Sequence, residues 1–215
     1  NFDVPSNVTA RRNAFMSALV AFVLFAVASP GYAEIVPVPG DPAGANSLAG
    51  AIAVNPAIVT GANFDTVPPG GTPNAVGTAP LSSFPVNGST FAIMTSGNAQ
   101  FADDPNVAGN TGISLGGGNV RGDTDFDVTV LRVDLQVPEG ANCLTFDFQF
   151  YSDEFPEWVN TRYNDAFIAE LDLSTWSTSE STISAPNNFA FDPVGNPITI
   201  NAAGNTSMTA ANAAG

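Results

Sequence analysis

The chain has no histidine and no lysine, a single cysteine and five arginines among 215 residues. Each shortage excludes something. Without histidine there is no Ser-His-Asp or Cys-His centre, and the commonest general base and transition-metal ligand are missing. One thiol, Cys143, makes neither an internal disulfide nor a cysteine-rich zinc site. Lying in a strand-like stretch, Cys143 is expected to be a small buried apolar residue. The basic residues are too few to neutralise phosphates, which excludes nucleic acid as a partner. An anionic membrane surface is excluded for the same reason.

What is present is acid and aromatic bulk. Twenty Asp and Glu give a net charge of −15, and sixteen phenylalanines are enough for one packed core. Such a charge suits an exported protein and cations that take oxygen ligands. Arg11 and Arg12 precede an apolar run of about 15 residues (14–28), and Gly31 and Ala33 supply small residues at −3 and −1. This is the pattern of a secretory signal peptide over residues 1–33. The run is shorter than the roughly 20 residues of a membrane span, so no transmembrane span is expected in the mature chain. The residues after the arginine pair sit one position off the twin-arginine spacing, which favours the general secretory route.

One domain is expected over residues 34–201. Residues 46–54 suit a short helix capped by Asn46 or Ser47. Residues 63–85, rich in Gly, Pro, Thr and Ala, suggest loops around one short edge segment, and residues 90–95 a core strand. Gly116, Gly117 and Gly118 lack the lysine of a phosphate cradle and are read as a turn. Over residues 128–137 the apolar positions change face near Val130, which predicts a bulge. Residues 202–215 have no periodicity and are expected to be a disordered or truncated tail. Short alternating strands between Gly, Pro and Asn turns give an all-β fold, a jelly-roll-like β-sandwich with at most one short N-terminal helix.

The central feature is a predicted hairpin over residues 142–173. Leu144, Phe146, Phe148 and Phe150 alternate with Thr145, Asp147, Gln149 and Tyr151, which puts one apolar face inward. Phe167, Ala169, Leu171 and Leu173 repeat the pattern on the second half. Between them lies an acidic, aromatic loop.

Two acidic groups are candidates for calcium, which takes oxygen ligands only. Asp123 and Asp125, with Asp127, would project from one face if that segment is extended, without meeting the EF-hand spacing. Asp153, Glu154, Asn164 and Asp165 are brought back together by the loop. For the first group the competing reading is a solvated, charged strand edge. For the second it is turn capping by Ser152, Asp153, Asn164 and Asp165. Trp158 and Tyr163 are candidate ligand-binding residues, with Trp176 as a further aromatic, and packing under the loop is the competing reading. Arg121-Gly122-Asp123 spells an adhesion tripeptide, read as chance.

A set of segments resembles a known family: Leu48-Ala49, Thr95-Ser96-Gly97, Gly122-Asp123-Thr124-Asp125-Phe126 and Leu144-Thr145-Phe146-Asp147-Phe148. The most specific segments are Phe150-Tyr151-Ser152-Asp153-Glu154-Phe155-Pro156-Glu157 and Tyr163-Asn164-Asp165-Ala166-Phe167. Together they resemble the choice-of-anchor L domain of bacterial exported proteins, over roughly residues 46–201. The resemblance implies a secreted or cell-surface β-domain that is not an enzyme, and it assigns no ligand. The favoured function is a non-catalytic domain for adhesion or for assembly of the surface or matrix. Calcium is a candidate stabiliser, and a surface or matrix component such as a polysaccharide is the expected partner. The alternative is a carbohydrate-binding module. The weakest reading is a glycoside hydrolase using Glu154 with Asp153 or Glu157.

Overall fold

The main helix begins four residues earlier than expected, because Asp41 caps it. In the computed structural model, which describes residues 34–104, 113–123 and 125–209, the Asp41 carboxylate accepts hydrogen bonds from Ala43 N (2.9 Å) and Gly44 N (3.0 Å). Pro42 follows as the first helical residue, where its missing N–H costs nothing. Strand β1 (Ile35–Pro37) precedes the cap, and helix α1 (Pro42–Ile52) follows it. Asn46 and Ser47 are no caps; their side chains donate back to the carbonyls of Pro42 and Ala43. The helix buries Gly44, Ala45, Leu48 and Ala49. The expected leader, residues 1–33, lies outside the described residues.

Residues 63–85 suggest loops around one short edge segment; strand β2 (Val59–Thr66) runs into them, and the short strand β3 (Asn74–Gly77) inside them is central in its sheet rather than an edge. Gly61, Asn63 and Asp65 are poor strand formers, and long-range pairing overrides that preference. Strand β4 (Phe91–Met94) falls within the strand expected at 90–95. It completes a three-stranded antiparallel sheet in the order β1-β3-β4. In its register Ala75 opposes Ile93 and Gly77 opposes Phe91. Ala75, Leu81, Phe91, Ile93 and Ala99 form a buried core, with Ile35, Phe84, Ala102 and Tyr151 packed on it. The Phe84 ring meets Phe91 edge-on, centroids 5.3 Å apart. Gly77 is required by this packing, since a Cβ there would fall on the Phe91 ring. Asn74, one residue from Ala75, is fully buried, and neither polar atom of its side chain has a partner.

Strand β5 (Val130–Leu135) pairs antiparallel with β2. The ladder slips where Phe64 and Thr66 meet Leu131 and Val130, the place at which the sequence changes face. The remaining elements are short: β6 (Ala166–Phe167), β7 (Ser177–Ser179), β8 (Thr182–Ser184), β9 (Ile198–Thr199) and α2 (Ile200–Ala203). Strands β6 and β9 pair, as do β7 and β8. Helix α2 corrects the expectation of a single helix. It also lies at the start of the expected tail: residues 202–207 are helix and turns, and Ala203 is buried.

The hairpin of residues 142–173 is where the structure departs furthest from expectation. Strand β6 pairs with β9 rather than with the preceding half, and residues 142–150 belong to no ladder. The two halves meet instead through rings. Phe148 stacks on Phe167 with centroids 5.1 Å apart, and Phe146 meets Phe167 and Phe189 at 6.3 and 5.3 Å. Leu144, Leu171 and Leu173, expected inward, are exposed, and so is Cys143. Without a ladder to hold the halves face to face, only the ring-to-ring part of the apolar face is covered. The described chain is thus largely β, in small antiparallel sheets with few helices. Among the described residues no helix is long and apolar enough to cross a membrane.

Candidate functional site

The first acidic run does not project from one face. Gly122 (φ 125°) and Asp127 (φ 53°) break the extension that the alternation implied. Asp123 and Asp125 both reach the β7–β8 hairpin, whereas Asp127 turns to Leu115. Asp125 is buried, and its Oδ2 accepts from Val120 N (2.6 Å) and Arg121 N (2.7 Å) while Oδ1 accepts from the Thr178 hydroxyl. Asp123 accepts from Glu180 N, and Asp127 from Leu115 N. These are loop-fastening bonds of the kind short acidic side chains make to backbone N–H groups. Gly122 is bridged to Thr178 so closely that a Cβ would strike the Thr178 backbone.

The second group does converge in part. Glu154 lies close enough to Asp153 and Asp165 to feel both charges, and Asp165 feels Asp153 and also Asp127. The charge of Asp127, from the first run, thus reaches Asp165, which the spacing alone did not signal. Ser96 donates to Asp165 Oδ2 (3.2 Å), and Ser152 accepts from Glu154 N (3.1 Å). Glu154 Oε2 is buried with no hydrogen-bond partner. Asn164 is occupied at both ends: its carbonyl accepts from Asn201 N and its amide donates to the Ser181 carbonyl. Of the six residues proposed for calcium, Asp123, Asp125, Asn164 and Asp165 are already engaged in hydrogen bonds. Among the described residues no group of three or more acidic or cysteine side chains is set to hold a metal ion.

Burial, and then the charges of Asp165 and Asp153, push Glu154 up to about 7. Burial is also the main cause that raises Asp165; its Ser96 bond acts the other way, and Asp153 and Asp127 add to the rise. Both folded-state values lie above those of the unfolded chain, so the folded state binds these protons more tightly. The resulting stability is fully present below the ordinary carboxylate range and is lost as pH rises through about 7 for Glu154. Melting between pH 5.5 and 8 is expected to show higher stability on the acid side. The difference should be about 1–2 kcal/mol, after allowing for solvent screening of this half-buried group. Glu154→Gln should flatten the profile and be the more stable chain at pH 8; a slope unchanged in that variant would refute the assignment.

Other carboxylates act in the opposite direction and outside that window. At Asp192 burial acts upward, but bonds from the Thr206 and Ser207 hydroxyls and from Asn196 outweigh it and hold its pKa low. That group ties the turn expected at 192–196 to the turns that follow α2. Glu170 is likewise held down, against burial, by bonds from Thr175 and Ser174.

The aromatic candidates are partly engaged. Trp158 and Tyr163 meet edge to face at 5.1 Å, and Arg162 lies over the Tyr163 ring and donates to its hydroxyl (2.8 Å). Tyr163 keeps 46% of its surface exposed. Trp176 is buried beneath Arg121, whose guanidinium sits 5.1 Å from the ring centre and donates to Ser174. It is no platform for a sugar. Both charged ends of the Arg121-Gly122-Asp123 tripeptide are thus bonded within the fold.

What fastens the acidic loop is a set of asparagines that sequence reasoning missed. Asn160, at φ 66°, donates its N–H to Asn201 Oδ1 (2.7 Å), and its side chain exchanges hydrogen bonds with that of Asn205 (3.1 and 2.8 Å). Asn201 also donates to the Thr161 carbonyl. The signal was present at Thr199, the second residue of β9 and a sound helix cap, which accepts from Ala202 N. Compared with family models, with curated proteins and with solved structures, the chain matches none.

Proposed function

We propose that this chain is a non-catalytic, exported β-sandwich domain of the choice-of-anchor L type, working at a bacterial cell surface or in the surrounding matrix in adhesion or assembly. The observation that supports this reading most is how the acidic loop is used. Its Ser152, Asn164 and Asp165 side chains, and the Asp123 and Asp125 carboxylates near β7, take hydrogen bonds that fasten loops. No histidine or lysine is available beside them to serve a reaction. A scaffold that spends its polar groups in this way fits holding a shape better than turning over a substrate. Calcium enters the proposal as a substitute for protons around Glu154. The melts described above, repeated at pH 8 in millimolar calcium and in chelator, decide that part, since ligation of the native state alone must stabilise it.

Export is tested directly. Expressed with residues 1–33 in a bacterial host, the chain is expected outside the cytoplasm with Glu34 at its amino terminus by mass spectrometry. An uncleaved chain confined to the cytoplasm would overturn the proposed location. A carbohydrate-binding role is the second reading, favoured by the exposed Tyr163 beside Trp158.

A further inference from the structure

Residues 142–150 combine two properties that rarely coexist. Their side chains are anchored: Phe146 and Phe148 pack on Phe167, Phe146 also on Phe189, and Asp147 accepts from the Asn87 amide (2.9 Å). At either end, Ala141 N closes a turn onto the Pro138 carbonyl and the Tyr151 hydroxyl bonds the Leu81 carbonyl. Yet among the described residues no backbone N–H or C=O from 142 to 150 is hydrogen-bonded, and residues 142–145, 147 and 149 are exposed. A stretch with strand-like alternation, held by its side chains and open along its backbone, is a template for another strand. Pairing of this kind takes affinity from main-chain hydrogen bonds and specificity from alternate side chains.

We propose that residues 142–150 form a docking edge that accepts an extended, net-basic segment of a partner protein as an added strand. Charge decides between occupants. A second copy would bring another −15 against this one, and pairing about Asp147 would set two carboxylates face to face, which is unfavourable. A cationic strand gains both from Asp147 and from the field of the whole chain. The proposal names the kind of partner for the surface role above and rests on that reading only for where the partner is met.

The test uses the full chain and synthetic peptides of alternating valine and lysine, alternating valine and glutamate, and the lysine peptide with every internal amide N-methylated. Fluorescence anisotropy should show the lysine peptide binding at least about ten-fold more tightly than either of the others. Thr145→Pro, which removes one exposed N–H from the edge, should weaken it comparably. Hydrogen exchange should slow at residues 142–150 when the lysine peptide is bound, a readout that stands even if the proline variant folds poorly. Equal binding of the N-methylated peptide would reduce the effect to charge alone and overturn the added strand. Dimerisation of the free chain through this segment would overturn the choice of partner. Export is scored separately, so failure here leaves the proposed location standing.

Discussion

Phe91→Ala is expected to cost about 3–5 kcal/mol, the range for truncating a buried phenylalanine. The ring lies at the centre of the best-packed region, opposite Gly77 in the register and edge-on to Phe84. Removing it deletes transfer free energy and leaves a cavity whose walls cannot collapse. The wall on one side is the backbone of Gly77, with no side chain to move inward, and the β1-β3-β4 ladder holds it in place. A folded chain is stable by only about 5–15 kcal/mol, so the variant should melt far below the parent in thermal or urea denaturation. A loss under about 1 kcal/mol would mean that this sheet is not where the fold draws its stability.

Asn188→Ala is expected to cost about 3 kcal/mol, for a different reason. The buried Asn188 side chain accepts from Ala169 N (2.9 Å) and Ala190 N (3.1 Å) and donates to the Ala190 carbonyl (2.8 Å). Truncation orphans three backbone groups at roughly 1 kcal/mol or more each. Asn74 supplies the control. It is as deeply buried, but its polar atoms have no partners, so Asn74→Val should leave stability unchanged or raise it. Urea titrations of the two variants decide the matter. If both lose equally, hydrogen bonding is not what separates these two positions.

These two asparagines also mark how far the sequence could be read. Alternation found the strand holding Phe91, because packing one face of a sheet leaves a period of two. The change of face near Val130 foretold the slipped register between β2 and β5 for the same reason. Strand β2 was missed because its partner lies about 70 residues away and its own Gly61, Asn63 and Asp65 argue against a strand. The hairpin failed in an instructive manner: the alternating phenylalanines do meet across it, but alternation specifies which side chains face inward, not which backbone pairs. At the candidate site, the clustering of Asp153, Glu154 and Asp165 was legible because one loop carries it. The reach of the Asp127 charge, and the bonds of Asn201 and Asn205, depend on chain reversals that leave no local pattern. Asparagine in a tract of small polar residues looks the same whether it is solvated or fastening a loop.

The asparagine fastening of the loop has a consequence for the conditions under which it holds. Asn160, Asn201 and Asn205 bind one another and the backbone through amides, which carry no net charge and do not titrate. Dissolved ions weaken attractions between exposed charges over distances of about 10 Å or less, but they have little purchase on these bonds. In brackish or changing water the Arg132 pairs with Asp65 and Asp134 (3.7 and 3.5 Å) would fade. The amide bonds that attach the acidic loop to α2 would not, and ionic strength is a variable to which those bonds are indifferent.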